Sequence, residues 1–209
     1  MERGKFITLE GGEGAGKSTQ IPYLKSFLEA RGYQVVITRE PGGSPGAELI
    51  RKLLLEGTPT RWEPLTEYLL LSAARRDHIE KVIKPALEQG KWVVCDRFFD
   101  SSLAYQGAGG GIKEEILQQI YDAIAPYFEP DITFIFDLPI EIGLQRAKTR
   151  SFGLEDRFEQ MPFDFHQRVQ DKFRQISAKN PHRCYLVQAH HTVEDISKEL
   201  QSHMIKLLK

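Results

Sequence analysis

Eight residues near the start of the chain match a pattern that binds phosphate. Residues 11–18 read Gly-Gly-Glu-Gly-Ala-Gly-Lys-Ser and fit G-x-x-x-x-G-K-[ST] at every fixed position. The glycines let backbone N–H groups converge on an anion, Lys17 offers an ammonium to the β- and γ-phosphates, and the Ser18 hydroxyl is a ligand for Mg²⁺. The motif predicts binding of a nucleoside triphosphate with magnesium and leaves the phosphate acceptor open.

Three arginines indicate that a second phosphorylated ligand binds beside the first. Arg39 ends one predicted strand, Arg97 directly follows another, and Arg51 lies one helix beyond Arg39. The carboxyl ends of parallel strands open on one crevice, and a guanidinium donates paired hydrogen bonds to phosphate oxygens. We therefore expect these arginines to converge on the phosphate of an acceptor. Arg39 and Arg97 are expected there because they lie at strand ends, whereas Arg51 is placed only by its helix.

A further basic cluster, Arg146, Arg150 and Arg157, flanks a Ser-Phe-Gly triplet at 151–153. The triplet predicts a break between two helices, and a lid near 146–159 would carry positive charge onto a transferring phosphoryl group and exclude water. The same residues also fit a charged surface connection. The phosphate loop favours the lid.

Two classes of phosphate-loop protein do not fit the rest of the sequence. GTPases read their base with Asn-Lys-x-Asp, whereas the one asparagine in this sequence, Asn180, precedes Pro181. Motor-type ATPases commonly end a core strand with Asp-Glu, whose glutamate activates water. Here Arg97 follows Asp96, and a cation at that position suits a phosphorylated acceptor better than water.

Size and composition narrow the class further. The 209 residues predict a single domain over 1–209, and the net charge of -1 argues against nucleic acid as a partner. We see no apolar run long enough to span a membrane and no signal peptide, so we expect a cytoplasmic protein. Cys95 and Cys184 lie in apolar runs, which predicts buried thiols in a reducing compartment.

Alternating strands and helices must position these residues. Near-continuous apolar runs predict strands at 6–10, 35–39, 92–96, 132–137 and 184–188. Helical patterns cover 17–31, 45–56, 64–89, 112–125, 141–150, 163–178 and 193–208. The order predicts an α/β fold, a three-layer sandwich around a five-stranded parallel sheet.

Taken together, these segments closely resemble the thymidylate kinase family, which implies a fold of the P-loop nucleoside monophosphate kinase type. The resemblance rests on FITLEGGEGAGKST at 6–19, TREPGG at 38–43, Ala-Ala-Arg at 73–75, CDRFFDSSLAYQG at 95–107, Pro-Asp at 130–131, the apolar strand ending at Asp137 and Asp-Arg-Phe-Glu at 156–159. It covers most of the chain. The TREPGG and DR…DSSLAYQG segments are more specific than the phosphate loop alone.

The resemblance implies a role for each matching residue. On the donor side it implies ATP binding by Gly11, Gly12, Glu13, Gly14, Ala15, Gly16, Lys17, Ser18, Thr19, Arg146 and Arg157, with Mg²⁺ held by Ser18 and Asp96. On the acceptor side it implies dTMP binding by Glu13, Arg39, Arg51, Leu71, Arg75, Arg97, Ser102, Tyr105 and Gln106. Within this second set, Arg75, Ser102 and Gln106 look like the groups that read the thymine edge. The catalytic residues that it implies are Lys17, Arg97, Arg150 and Glu13.

Particular residues match one branch of the family and depart from it elsewhere. The phosphate loop carries Glu13 but no arginine, which resembles the bacterial type with arginines in the lid. Leu71 stands where bacterial members commonly place a phenylalanine that stacks on thymine. We expect weaker base binding, or compensation by Phe98 or Tyr105. Tyr105 is also a candidate for excluding a ribose 2′-hydroxyl.

The reaction that the resemblance implies is ATP + dTMP → ADP + dTDP with Mg²⁺, in dTTP biosynthesis, by a homodimer. Another nucleoside monophosphate kinase would keep the arginines and change the base contacts. A deoxynucleoside kinase would need a general base for a neutral hydroxyl. A nucleotide-binding module without activity would bind ATP and turn over no acceptor.

Overall fold

A computed structural model describes residues 2–56, 61–150 and 158–208, with Arg150 described by its backbone alone. Residues 151–157 of the predicted lid therefore lie outside the described residues, and Arg157 is one of them. No helix in the described ranges is both long and apolar enough to cross a membrane.

The sheet has five parallel strands in the order β2-β3-β1-β4-β5. The strands are β1 Phe6–Gly11, β2 Val35–Arg39, β3 Trp92–Asp96, β4 Ile132–Asp137 and β5 Cys184–Gln188. Four of them have the predicted bounds, and β1 extends one residue further, into the phosphate loop. The predicted five-stranded parallel α/β fold is confirmed.

Helices cover both faces of this sheet. The α-helices are α1 Lys17–Glu29, α2 Pro45–Leu55, α3 Pro64–His78, α4 Lys84–Glu88, α5 Phe99–Ser102, α6 Glu114–Ile124, α7 Ile140–Arg150, α8 Phe163–Lys179 and α9 Val193–Leu207. Their ends follow local signals: the Ser44 hydroxyl accepts a hydrogen bond from Ala47 N, and Thr192 caps α9 in the same way. Glycines with positive φ follow α1 and α4.

Two stretches differ from the sequence prediction. The helix predicted over 64–89 is wound as a π-helix at Ile79–Ile83, between α3 and α4. Residues 99–109, for which we predicted no helix, form α5 followed by a π-helical segment, Leu103–Gly109. Apolar spacing does not distinguish π from α winding, and π-turns concentrate at functional sites, where they redirect side chains.

The alternation of side chains along the strands builds two cores. Phe6 on β1 and Val93 on β3 face the layer that contains α6 and α8. Ile7 and Leu9 face the opposite layer, which contains α1 and α9. Both cysteines are buried and free, as expected. This three-layer packing holds the carboxyl ends of β1, β2 and β3 side by side.

Candidate functional site

The phosphate loop connects β1 to α1 in a backbone conformation that requires glycine. Gly11 and Gly14 both have positive φ angles, of 130° and 64°. A Cβ atom at Gly14 would lie 2.1 Å from the carbonyl oxygen of Gly143, and one at Gly11 would lie 2.5 Å from that of Phe136. The loop therefore packs directly against α7 and β4, which leave no room for larger residues.

Lys17 lies at the first turn of α1 and is almost fully buried. Its Nζ donates hydrogen bonds to the carbonyl oxygens of Gly11, at 3.1 Å, and Gly12, at 3.0 Å. Burial, reinforced by the nearby Arg97 guanidinium, lowers the pKa of Lys17 to about 8. The ammonium is thus held at the loop in a setting that gains from an added negative charge.

A cavity of about 470 Å³ extends from the phosphate loop across the carboxyl ends of β2 and β3. It is large enough for nucleotide-sized ligands. Most of the predicted site residues lie on its wall, namely Glu13, Gly14, Ala15, Gly16, Lys17, Ser18, Arg39, Arg51, Leu71, Arg75, Asp96, Arg97, Ser102, Tyr105 and Gln106. Its described wall does not include Gly11, Gly12, Thr19 or Arg146. Arg146 is exposed on α7, and nothing is described of the Arg150 side chain or of Arg157.

Arg97 sits at the centre of the wall in a left-handed conformation, with φ of 65°. This conformation is uncommon for a residue other than glycine and persists where its surroundings hold it. Glu10, fully buried on β1, accepts hydrogen bonds from Phe98 N at 2.7 Å and Ser101 Oγ at 2.5 Å. Glu10 therefore fastens the turn that presents Arg97. Burial, together with the Asp100 carboxylate, raises the pKa of Glu10 to about 8.

Glu13 links the phosphate loop to Arg97. Its Oε1 accepts hydrogen bonds from Arg97 Nη2 at 2.8 Å and from the Tyr105 hydroxyl at 2.9 Å. Burial alone would raise the pKa of Glu13, but Arg97 and Lys17 hold that pKa below its usual value. The ionised carboxylate therefore sits between two cations in the middle of the cavity.

The two remaining predicted clamp arginines lie at the other side of the cavity. The Arg39 guanidinium is half-exposed and pairs with Glu48 at 3.1 Å. Arg51 on α2 donates from Nη1 to the Pro41 carbonyl oxygen at 2.7 Å. Together with Arg97, they line the cavity with three guanidinium groups, carried by β2, by α2 and by the turn directly after β3.

The residues beside the loop suit a magnesium ion. Oδ1 of Asp96 is buried and accepts no hydrogen bond within the described parts of the chain. Ser18 lies on the same cavity wall. Mg²⁺ prefers such oxygen ligands and completes its shell with waters and phosphates. Within the described ranges, no group of three His, Cys, Asp or Glu side chains forms an all-protein metal cage.

The base-sized end of the cavity is built around Arg75 on α3. Arg75 is buried, and its Nε donates to Glu40 Oε2 at 2.7 Å while Nη2 donates to Ser102 Oγ at 3.1 Å. Its Nη1 has no hydrogen-bond partner among the described residues. Leu71 lies one turn before Arg75, and Phe98 places its ring 5.3 Å from the Arg75 guanidinium carbon. This end of the cavity offers an apolar surface beside a guanidinium group that only donates hydrogen bonds.

The sequence analysis did not single out the buried residues that hold the cavity side chains in place. These are the acids Glu10, Glu40 and Glu67, and the histidine His78. For Glu10 a signal was available, because a charged residue inside a strand predicted to be buried requires partners. Glu67 and His78 lie on the faces of a predicted helix, where nothing in the local sequence distinguishes them from surface residues.

Comparisons with known proteins agree with this arrangement. The sequence profile described as Thymidylate kinase matches residues 9–200. A thymidylate kinase of Bradyrhizobium sp. (strain ORS 278) is 50% identical over 93% of this chain and 87% of its own length. One from Caulobacter vibrioides is 47% identical over 100% of this chain and 99% of its own. The crystal structure of thymidylate kinase from Ehrlichia chaffeensis superimposes with a TM-score of 0.77, at 37% identity, and covers 99% of both chains. The chain belongs to the thymidylate kinase family.

Proposed function

We propose that this protein transfers the γ-phosphoryl group of ATP to the phosphate of dTMP, giving ADP and dTDP for dTTP synthesis. Family membership supports this activity. The observation that carries it is one continuous cavity, with a phosphate loop at one end, Arg39, Arg51 and Arg97 along it, and Arg75 at the other end.

On the donor side, backbone N–H groups of residues 11–18 and the Lys17 ammonium bind the ATP phosphates. Ser18 and Asp96 would hold Mg²⁺, which supplies positive charge to the β- and γ-phosphates when bound. Arg146, Arg150 and Arg157, in a lid near 146–159 of one domain spanning 1–209, are the proposed additional contacts to ATP. Arg150 is the residue we assign to the transferring group.

On the acceptor side, Arg39, Arg51 and Arg97 clamp the dTMP phosphate. Its oxygens are ionised at neutral pH, so the reaction needs alignment and charge neutralisation rather than a strong general base. Glu13 orients Arg97 and Tyr105 through hydrogen bonds. Arg75, Ser102 and Gln106 face the thymine edge, and Leu71 packs on the base.

A coupled assay of ADP release tests the proposal directly. ATP and Mg²⁺ are supplied with dTMP, dUMP, UMP, CMP, AMP, GMP or thymidine in separate reactions. We expect strong turnover with dTMP, weaker turnover with dUMP and almost none with thymidine. Turnover with thymidine would instead assign the protein to the nucleoside kinases, and ATP binding without acceptor-dependent turnover would leave a nucleotide-binding module.

We infer further that the protein forms a homodimer through α2 and α3. Leu49 and Leu53 on α2 are 64% and 42% exposed, and Leu65 and Leu69 on α3 are 36% and 50% exposed. Each pair is spaced four residues apart, so each forms a stripe on its helix, and the two helices pack together. A contiguous exposed apolar face of this kind is typical of protein interfaces.

We also propose a cytoplasmic location. Cys95 and Cys184 are buried free thiols, and burial raises the pKa of both. Such thiols are typical of proteins that work in a reducing compartment.

A further inference from the structure

Two buried carboxylates stand behind the side chains that face the base-sized end of the cavity. Glu40 contacts Arg75, and Glu67 contacts Gln106. All four side chains are at least nine-tenths buried. Buried carboxylates are costly unless they are paired, so these contacts constrain how Arg75 and Gln106 are oriented.

Glu40 is itself held from the opposite side. Its Oε1 lies 3.1 Å from His78 Nδ1, and His78 Nε2 lies 2.6 Å from the Thr38 hydroxyl on β2. Because an ionised carboxylate only accepts hydrogen bonds, His78 must donate from Nδ1. Both oxygens of Glu40 are thus engaged, one by His78 and one by Arg75. The chain of contacts fixes the Arg75 guanidinium to the sheet and leaves Nη1 without a hydrogen-bond partner in the described parts of the chain.

Glu67 constrains Gln106 in the same way. Gln106 Nε2 donates to Glu67 Oε1 at 3.0 Å. Since the carboxylate only accepts, the amide NH₂ must face Glu67, and the amide carbonyl oxygen is the remaining polar atom of Gln106 on the cavity wall.

We propose that Glu40 and Glu67 are positioning residues that select the base by fixing this order of donor and acceptor. The Arg75 guanidinium only donates hydrogen bonds, and Gln106 Oε1 accepts. A pyrimidine with a carbonyl at position 4 and an N–H at position 3, as in thymine or uracil, matches both groups. Cytosine has an amino group and a bare ring nitrogen at these positions and mismatches both. The inference depends on the proposed function, because it concerns the acceptor site of that reaction.

The physical basis of selection is the cost of leaving buried groups unpaired. A site built to hydrogen-bond its substrate rejects an analogue that cannot reciprocate far better than an apolar pocket does. Mobile side chains would lose that advantage, because the Gln106 amide could rotate and present its NH₂ to cytosine. The Glu67 carboxylate opposes this rotation, and Glu40 holds the Arg75 guanidinium in place.

The test compares Glu40→Gln and Glu67→Gln with wild type. Calorimetry without ATP measures binding of dTMP and dCMP, and steady-state assays give kcat and KM for each. In Glu67→Gln the new amide can donate a hydrogen bond to Gln106 as well as accept one, so the Gln106 amide group can rotate. In Glu40→Gln the new amide cannot accept from both Arg75 and His78. For both variants we expect KM and Kd for dTMP to rise roughly 10- to 100-fold, with kcat for dTMP within about threefold of wild type.

The dCMP-to-dTMP ratio of kcat/KM should rise at least about tenfold in Glu67→Gln, because its amide accommodates both orientations of Gln106. Asp100→Asn is the matched control. Asp100 is equally buried, and its carboxylate pairs with Arg183 at 2.7 Å rather than with Arg75 or Gln106. It should lower the melting temperature and leave the ratio unchanged.

The inference is overturned if both Gln variants, folded by thermal melts, keep wild-type Kd and base preference, or if Asp100→Asn shifts the preference equally. Should one Gln variant fail to fold, the other decides. Failure of the proposed function looks different, because wild type itself would then neither bind nor phosphorylate dTMP.

Discussion

Burial and the neighbouring Arg97 guanidinium both disfavour the charged form of Lys17. Its ammonium contacts two loop carbonyl oxygens, and its pKa is lowered to about 8. Such a group is costly to the folded protein by itself and stabilises a bound polyanion strongly. The cost and the function have the same physical origin.

Replacing Lys17 separates its contribution to catalysis from its cost to folding stability. For Lys17→Ala we expect kcat to fall roughly 100- to 1,000-fold or more, because a preorganised cation for the phosphates is lost. We expect no loss of folding stability, since the variant removes a poorly solvated charge. Steady-state kinetics and denaturant unfolding measure the two effects. Lys25→Ala, at a partly exposed position on the same helix, is the control, and near-wild-type turnover of Lys17→Ala would refute the donor-site assignment.

Glu10 makes folding stability depend on pH. Its pKa is about 8 in the folded protein against 4.5 as the ordinary value, so between these values the folded state holds more protons than the unfolded chain. The contribution of Glu10 to the free energy of unfolding therefore falls as pH rises through this range. Urea unfolding at about pH 5 and about pH 8 should show wild type losing stability relative to Glu10→Gln. A pH-independent difference, or the same trend in Glu29→Gln at an exposed site, would contradict this.

At the scale of elements, the close approach of α7 to the phosphate loop is decisive. A Cβ atom at Gly143 would lie 2.5 Å from the Glu13 carbonyl oxygen, just as one at Gly14 would meet Gly143. The helix that leads to the proposed lid arginines therefore rests on the loop that binds the donor. If Arg146 and Arg150 contact ATP as proposed, this packing sets the position of the helix that carries them relative to the donor.

Gly143→Ala tests that coupling. The methyl group must push α7 away from the loop, and overpacking of this kind costs about 1–3 kcal/mol of stability. We also expect KM for ATP to rise several-fold while KM for dTMP stays close to wild type. Gln145→Ala, exposed on the same helix, should change stability by less than about 0.5 kcal/mol. Wild-type melting and kinetics in Gly143→Ala would show that the helix and loop are not coupled.

At the scale of the whole molecule, packing within a single chain does not explain why the leucines of α2 and α3 are exposed. Leu49→Glu combined with Leu69→Glu should convert a dimer to a monomer, because two charges would be buried without partners in the interface. Light scattering after gel filtration measures the mass. Tyr127→Glu, at a fully exposed site elsewhere, should leave the mass unchanged. A wild-type protein that is monomeric at all concentrations would end the dimer proposal.

The fold and the conformation of the phosphate loop could be predicted from the sequence because their determinants are local. The glycine spacing of residues 11–18 reports a backbone conformation directly, and apolar runs report buried parallel strands. Arg39 and Arg97 were predicted to lie near each other because parallel strands bring their carboxyl ends to one edge of the sheet. Each inference needed only neighbouring residues or the topology of a parallel sheet.

Tertiary structure alone decided how the recognition side chains are held. Glu40 and Arg75 are separated by 35 residues and Gln106 and Glu67 by 39, so no local pattern links them. The same holds for the π-turn at 79–83, which the apolar spacing of 64–89 did not reveal, and for the left-handed Arg97, which depends on Glu10. A contiguous sequence motif indicates which chemical groups a site contains. The orientation of buried polar groups is set by partners that only the folded chain brings within hydrogen-bonding distance.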